Sequence, residues 1–217
     1  MRRDLLNSVI AIVVLTVLLG LAYPLLFTGV AQVVSPGNAN GSKVHQGGKV
    51  IGSKLIAQDF RKPVLGRNGK PETDKDGKPV LTADPRWFQS RPSQTTYDPS
   101  VTFFSNFGPN SADAQAAFKS NLDAYLQLER PYNPGLTAAK VPVDAVTQSA
   151  SGVDPDISQA NARIQARRIA VLRHLPLKRV QSLIEQHTDG RFLGVFGEPG
   201  VNVLELNLAI NREAPTA

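Results

Sequence analysis

Cysteine is absent from the 217 residues, and histidine is scarce, with three in the chain. Without cysteine the chain can form no disulfide scaffold, thiol nucleophile, thiolate metal site or lipoprotein anchor. The three histidines, His45, His174 and His187, share no metal-ligand spacing. The sequence therefore predicts no metal site, and it leaves the redox compartment of the protein open.

Motifs for binding nucleotide phosphates or calcium are incomplete. Gly47 to Gly52 has the spacing of a phosphate-binding loop, but Ser53-Lys54 follows in the wrong order. A calcium loop starting at Glu72 would have Ala83 at its twelfth position, where a bidentate Glu is needed. Both stretches are better interpreted as ordinary loops.

The sequence contains no Gly-x-Ser-x-Gly nucleophile elbow, which excludes the commonest local signature of a serine hydrolase. Catalytic triads are defined by geometry, so the hydroxyls of Ser93 and of the loop 149–152 keep a membrane-tethered hydrolase as an alternative. Asp154 and Asp156 flank Pro155, a pattern that predicts a turn and a helix N-terminus. We expect no catalytic residue in this chain.

One long apolar run, Val9 to Val34, follows Met1-Arg2-Arg3-Asp4. Roughly 20 apolar residues suffice to cross a bilayer as a helix, so residues 9–34 are predicted to be a transmembrane anchor. The two arginines favour a cytoplasmic N-terminus, residues 1–8, and an extracytoplasmic remainder. The run exceeds a signal-peptide core, and residues 28–32 form a poor cleavage site, which favours a retained anchor.

The anchor contains features that suggest contact with other membrane helices. Pro24 removes a backbone hydrogen bond and predicts a kink, which a neighbouring helix could compensate. Gly20 and Gly29 allow close approach of another helix. We therefore expect Gly20, Pro24 and Gly29 to contact a partner within the lipid bilayer.

Beyond the anchor, residues 35–49 are predicted to form a flexible linker and residues 50–217 one soluble α/β domain. Residues 61–84 are strongly polar and carry a short internal repeat. Asn68-Gly69 and Asp76-Gly77 are preferred pairs for tight hairpin turns with positive φ at both positions. The segment is predicted to be an exposed hairpin insertion.

Hydrophobic periodicity and capping residues predict three helices in this domain. The first follows Ser111, with Phe118 on its buried face; the second runs from the N-cap Ser158 to about His174; the third starts at Pro176 and ends by Gly190. Strands are predicted near 50–57, 192–196 and 201–210, the last because Leu and Ile alternate there. The predicted fold is one N-terminal transmembrane helix followed by one small α/β extracytoplasmic domain.

The formal net charge is +6, but the aromatic residues are not interleaved with the basic ones, which argues against a nucleic-acid partner. One short stretch concentrates basic residues without a single acid. A solvated helix face is the favoured interpretation, with a docking surface for an acidic neighbour as the alternative. Its members are Arg163, Arg167, Arg168, Arg173, Lys178 and Arg179.

Six ordered stretches behind the anchor resemble the C subunits of the Kdp potassium-transporting P-type ATPases. They are 52–60, Ser90-Arg91-Pro92-Ser93, Ser105-Asn106-Phe107-Gly108-Pro109, Val141-Pro142-Val143-Asp144, 151–158 and 201–207. The chain departs from the family pattern at Asp156, where His is usual, at Gly200, where Arg is usual, and in residues 61–84.

The resemblance implies an accessory, assembly-stabilising subunit in the inner membrane of a bacterium. Its expected partners are a channel-like A subunit that takes up potassium and a B subunit that hydrolyses ATP. The chain lacks the Asp-Lys-Thr-Gly-Thr phosphorylation motif of P-type ATPases, so it is expected not to be the catalyst. A solitary envelope binding protein is a further alternative.

The family has also been proposed to promote ATP binding by the catalytic subunit. The nearest candidate residues here are Gln148, Ser149, Ser151 and Gly152, although the predicted topology places them opposite the side where ATP is bound. The chain itself is expected to hold no cofactor firmly. Arg91 and Asp154 are predicted to hold the domain in place, either internally or against a partner.

Overall fold

The computed structural model describes residues 2–101, 103–108 and 110–216. Met1 of the predicted N-terminal segment, Pro109 of the 105–109 motif and Ala217 of the predicted domain lie outside the described residues. The chain divides into two compact units, the first ending at Ser53 and the second starting at Lys54. Each unit is described separately.

The first unit opens with a helical stretch of 33 residues, from Arg2 to Val34, in which no side chain is buried. It comprises α1 (Arg2–Val17), a π-helical turn (Leu18–Ala22) and α2 (Tyr23–Val34). The N–H of Tyr23 bonds to the carbonyl of Leu18, five residues back. Pro24 lacks an N–H and crowds the preceding turn, so the wide turn lies where the proline disturbs an α-helix.

Residues 35–53 complete the first unit with regular structure of their own. A short helix α3 (Pro36–Ala39) is followed by β1 (Lys43–Gln46) and β2 (Lys49–Ser53), which pair antiparallel. Strand character near residue 50 is thus present, whereas Leu55 and Ile56 lie in a turn. The segment expected to be a flexible linker contains a helix and a strand.

Near the start of the second unit lies the repetitive segment 61–84, which is more than a simple hairpin. Strands β3 (Arg61–Pro63) and β4 (Leu81–Ala83) pair antiparallel. Between them, three backbone hydrogen bonds of 2.8 Å join Val64, Glu72 and Val80 in a closed ring. The N–H of Glu72 donates to the carbonyl of Val64, that of Val80 to Glu72, and that of Val64 to Val80. Positive φ occurs at Gly69 and Gly77 but not at the preceding residues, so the predicted turn type is wrong.

The three predicted helices are present; the first two have their predicted N-caps, and the third ends at Gln186 rather than at the predicted stop Gly190. They are α4 (Ala112–Glu129), α5 (Gln159–Leu172) and α6 (Leu177–Gln186). The Ser111 side chain accepts from the N–H of Ala114, and the Ser158 side chain accepts from the N–H of Asn161. The side chain of Phe118 is exposed, however, so the buried face of α4 begins further along the helix.

A three-stranded antiparallel sheet has the order β5 (Asp156–Ser158), β7 (Gly200–Asn202), β6 (Thr188–Asp189). The predicted strand over 201–210 is wrong beyond Asn202, because α7 (Val203–Glu213) starts there. Asn202 caps this helix by accepting from the N–H of Glu205. The alternation of leucines indicated a strand because α7 is buried on most of its circumference and so carries apolar residues on several faces.

Residues 192–196, also predicted to be a strand, form a tight turn between β6 and β7, with one isolated bridge from Phe192 to Phe196. The main core packs α5, α6 and α7 against the sheet, with Phe88 at its centre. A smaller cluster lies between α4 and the two 3₁₀ turns, Ala138–Lys140 and Val143–Ala145.

The basic stretch from Arg163 to Arg179 is not one solvated face. Arg168 and Arg173 are buried, and Arg179 forms an ion pair with Glu213. Arg163 and Arg167 are exposed. A run of charges therefore contributes both to the surface and to the interior of the folded unit.

Candidate functional site

Arg91 joins two loops that are 63 residues apart in the chain. Its Nη1 donates to Oδ2 of Asp154 at 2.8 Å, and its Nη2 donates to the carbonyl of Gln148 at 3.3 Å. Both side chains of the ion pair are partly buried. The Tyr97 hydroxyl donates to the carbonyl of Arg91 at 2.8 Å, and burial raises the pKa of Tyr97 to about 12. The two predicted contact residues Arg91 and Asp154 thus bind each other.

Gly152 locks the same loops together through its backbone. Its carbonyl accepts from the hydroxyl of Ser93 at 2.6 Å, and its φ is +75°. A Cβ at this position would lie 2.6 Å from Oγ1 of Thr95 and 2.9 Å from its Cγ2. Only glycine fits the conformation and the space. We call the bonded loops 90–97 and 147–154 the arginine clasp.

The four nucleotide candidates lie in the clasp, and each makes at least one hydrogen bond within the chain. Gln148 donates to Gln94 at 2.7 Å, and the Ser151 hydroxyl accepts from the N–H of Val153. The N–H of Ser149, a buried residue, donates to the carbonyl of Pro92 at 3.2 Å, and the carbonyl of Gly152 accepts from Ser93. An adjoining cavity of about 550 Å³ includes Gln148 and Ser149 among its described lining residues, which include no lysine or arginine. That lining offers no cation to balance a triphosphate.

A second polar cluster lies deep in the core of the folded unit. Nε of Arg168 donates to Oε1 of Glu129 at 2.8 Å, and both side chains are 0% exposed. Arg168 also donates to the carbonyls of Pro85 and Trp87. Burial raises the pKa of Glu129 more than the neighbouring guanidinium lowers it. Arg168 thereby connects α4, α5 and the irregular segment 85–89.

Two amide side chains hold the same irregular segment. Asn207 of α7 accepts from the N–H of Phe88 at 2.8 Å and donates to its carbonyl at 3.0 Å. Gln165 of α5 makes the equivalent pair with Gln89, at 2.8 Å and 3.1 Å. Each side-chain amide bonds to a backbone N–H and carbonyl, as the backbone of a neighbouring strand would. The hydrogen bonds of Phe88 and Gln89 in this irregular segment are therefore supplied by side chains.

Asp156 and Gly200, the two positions expected to depart from the pattern of the resembling family, are neighbours on adjacent strands. A Cβ on Gly200 would lie 3.1 Å from the Cβ of Asp156 and 3.3 Å from its Oδ2. Burial, and next the charge of Asp154, raise the pKa of Asp156, although a hydrogen bond from Asn202 opposes this. The two unusual residues therefore belong to one local arrangement.

The predicted contact residues of the anchor lie on an exposed helix. Nothing lies within 4 Å of a Cβ built on Gly29, and the nearest atom to one on Gly20 is Cγ2 of Thr16, at 3.8 Å. Nine residues separate the two glycines, which places them on different faces of the helix. Pro24 lies in the first turn of α2. Within this chain, both glycines have room for a larger side chain.

Sequence reasoning missed the buried cluster, because Arg168 was interpreted as part of a solvated helix face and Gln165 was not singled out. The available signal was the spacing of Ala162, Ala166 and Ile169 by four and three residues, which indicates the buried face of the helix. Gln165 and Arg168 lie next to this face. Within the described residues, no group of three or more His, Asp or Glu side chains could hold a metal ion.

The described residues contain one helix long and apolar enough to cross a membrane, followed by a folded unit whose loops bond to each other, an arrangement that fits a membrane protein with one candidate anchor. The family model described as "K+-transporting ATPase, c chain" matches residues 5–212. The chain therefore belongs to the KdpC family.

Individual relatives agree with this assignment over nearly their whole length. The potassium-transporting ATPase KdpC subunit of Streptomyces coelicolor is 42% identical over 92% of this chain and 88% of its own. That of Bradyrhizobium diazoefficiens is 40% identical over 99% of both chains. That of Caldanaerobacter subterraneus is 36% identical over 98% of this chain and 97% of its own.

Proposed function

We propose that this protein is an accessory subunit that stabilises the assembly of an ATP-driven potassium uptake complex. The single observation that carries the proposal is the match to the KdpC family over residues 5–212. In this proposal a channel-like subunit takes up potassium, a catalytic subunit hydrolyses ATP, and the present chain catalyses neither step.

The proposed topology has one span, with Arg2 and Arg3 on the cytoplasmic side and the folded unit outside. Positive charge before the apolar run Val9 to Val34, and the lack of charged residues within that run, support this orientation. In a bacterium the membrane would be the inner membrane. ATP would then be bound by the catalytic chain on the opposite side from the arginine clasp.

Bonding within the clasp supports a structural rather than a nucleotide-binding role. The carbonyl of Gly152 and the side chains of Gln148 and Ser151 are committed to partners within the chain. Arg91, the nearest cation that the structure places there, is paired with Asp154. A phosphate would have to displace these bonds before it could be bound.

The anchor would contact the other subunits through its small residues. Ala22 and Gly29 are seven residues apart, about two helical turns, and so lie close to one face. Because no described atom of this chain lies within 4 Å of a Cβ on Gly29, an effect of a larger side chain there on co-purification would support contact with a neighbouring molecule. Close packing of small residues is a common basis of helix association in membranes.

The test compares Gly29→Leu with Gly29→Ala in a tagged full-length chain coexpressed with the other subunits. We expect the leucine variant to reduce the co-purified catalytic and channel-like subunits about tenfold in mild detergent, and the alanine variant to reduce them far less. Potassium-stimulated ATPase activity of the eluate is measured in parallel. A parent chain that elutes without other subunits would refute the accessory role itself.

A further inference from the structure

The turn between β6 and β7 projects a compact set of apolar side chains that nothing in the described chain covers. Phe192, Leu193, Val195 and Phe196 are exposed at 71%, 76%, 68% and 62%. Single exposed apolar residues are ordinary on protein surfaces, but four in a five-residue turn form a continuous apolar patch. We call residues 192–196 the apolar tip.

The apolar tip is held in one conformation. Phe192 and Phe196 exchange two backbone hydrogen bonds, of 2.8 Å and 2.9 Å. At its base, Nη2 of Arg191 donates to both carboxylate oxygens of Glu198, at 2.9 Å and 2.8 Å. The side chains are therefore presented by a closed turn, and ordering them on binding costs less than ordering a flexible loop.

Leu193 has a φ of +52°, in the left-handed region, and Gly194 follows with +78°. Glycine, asparagine or aspartate is the usual residue at the first position of such a turn, and a bulky residue there is strained. The turn thus has an exposed leucine at a position where glycine, asparagine or aspartate would cause less backbone strain. Strain of this kind is typical of sites where a side chain is needed for contact.

We propose that the apolar tip inserts into an apolar pocket on another subunit of the ATPase complex. The proposal rests on the proposed function, since it requires the chain to be part of that complex. Exposed aromatic anchors surrounded by a polar rim are typical of protein interfaces, and the Arg191–Glu198 pair supplies such a rim.

Charge favours a protein pocket over a lipid surface. Between Thr188 and Pro199 the charged residues are Asp189, Arg191 and Glu198, a net charge of −1. Segments that lie in a membrane interface usually add lysine or arginine, which attract anionic headgroups. The single arginine of this turn is already paired with Glu198.

The first test replaces Phe192 or Phe196 with the photocrosslinking analogue p-benzoylphenylalanine in the full-length chain, coexpressed with the other subunits. Membranes are irradiated, and the covalent products are identified by mass spectrometry. The same analogue at Val143, which is 68% exposed, is the matched control. An adduct with another subunit of the complex, from the tip positions and not from Val143, is the expected result.

An adduct with lipid, an adduct with a second copy of this chain, or no adduct at either tip position would overturn the proposal. Co-purification before irradiation tests the accessory role separately. If the parent chain retains its partners but the tip forms no adduct with them, only the role of the tip fails.

A second test measures the yield of complex with the double variant Phe192→Ser/Phe196→Ser. We expect about a tenfold loss of co-purified subunits, because aromatic anchors carry much of an interface's affinity. The control is Val143→Ser/Val171→Ser, two exposed positions outside the tip, with an expected loss below about twofold. The unfolding midpoint of each isolated full-length chain in detergent should be unchanged; an equal loss of yield in both double variants would contradict the proposal.

Discussion

The helix that precedes Ser53 and the folded unit that follows it distribute polarity in opposite ways. The helix from Arg2 to Val34 exposes its apolar side chains on all sides. The folded unit, in contrast, encloses an arginine and a glutamate with no exposed surface, Arg168 and Glu129.

The difference follows from how each part satisfies its backbone. A helix bonds its own N–H and carbonyl groups, so its side chains are free to be apolar throughout, as lipid requires. The segment 85–89 is irregular chain that places the side chain of Phe88 in the core of the folded unit, and it pairs with no described strand. Its backbone groups bond to Asn207, Gln165 and Arg168 instead, so a polar interior is needed where regular structure is missing.

Replacing the buried cation Arg168 should have the largest effect on the stability of the folded unit. Arg168→Met leaves the Glu129 carboxylate buried without its partner and removes the donor to the carbonyl of Pro85, so we expect a loss of roughly 3–5 kcal/mol in the free energy of unfolding. The measurement is denaturant unfolding of the full-length chain in detergent, followed by the fluorescence of Trp87, the single tryptophan.

Arg167→Met, at the exposed neighbouring position, is the matched control, with an expected change below about 0.5 kcal/mol. The double variant Glu129→Leu/Arg168→Met should recover part of the loss, because no charge is then left unpaired. If Arg168→Met unfolds at the same denaturant concentration as the parent, the buried pair does not stabilise the fold.

A methyl group at Gly152 should have the next largest effect. Gly152→Ala combines a left-handed backbone with a collision against Thr95, and we expect it to cost about 2–4 kcal/mol. In the background of Thr95→Ala the collision is relieved and the cost should fall to that of the backbone conformation, about 1–2 kcal/mol. Equal costs in the two backgrounds would show that the loops do not meet as described. Thermal unfolding measures all four members of the cycle.

The smallest expected effect concerns a polar group at the edge of the sheet. Because the pKa of Asp156 is raised in the folded state, folding is favoured when this carboxyl is protonated, and that stability is lost as the pH rises from the unfolded pKa through the folded one. Asp156→Asn does not titrate and still accepts the bond from Asn202, so we expect it to raise the unfolding midpoint at pH 7 more than at pH 4. The gain should stay below about 1 kcal/mol.

Asp154→Asn is the contrasting variant for this measurement, because Asp154 is paired with Arg91. Its substitution should lower the midpoint at pH 7. A midpoint for Asp156→Asn that lies below the parent at pH 7 would show that the carboxylate of Asp156 stabilises the fold.

Local signals in the sequence predicted much of the helical part of the fold. Ser111 and Ser158 mark helix starts because a side-chain oxygen can accept from the third N–H of the following turn, and both caps are present. The 201–210 prediction was wrong because alternating leucines were given more weight than the capping pattern of Asn202 and Glu205. A helix buried on most faces loses the 3.6-residue period that identifies exposed helices.

The pairings of the site were not predictable in the same way. Arg91 and Asp154 were each expected to hold a loop in place, but nothing in one sequence shows that side chains 63 residues apart bind each other. Likewise, Arg168 differs from Arg167 only by the face of α5 on which it lies. Which charge is buried depends on the partner from another element, here Glu129 of α4. The roles of Gly20, Pro24, Gly29 and the four nucleotide candidates stay predictions.

The ring formed by Val64, Glu72 and Val80 has a consequence for how the length of this segment can change. The three residues are eight positions apart, and each supplies one N–H and one carbonyl to the ring of bonds. Removing a single eight-residue repeat would open the ring. Arg61 and Ala83 are paired neighbours, so the chain enters and leaves the segment at one place. Shortening the segment by one repeat would therefore break the ring of bonds, whereas removing the whole segment would leave two chain ends that already lie side by side.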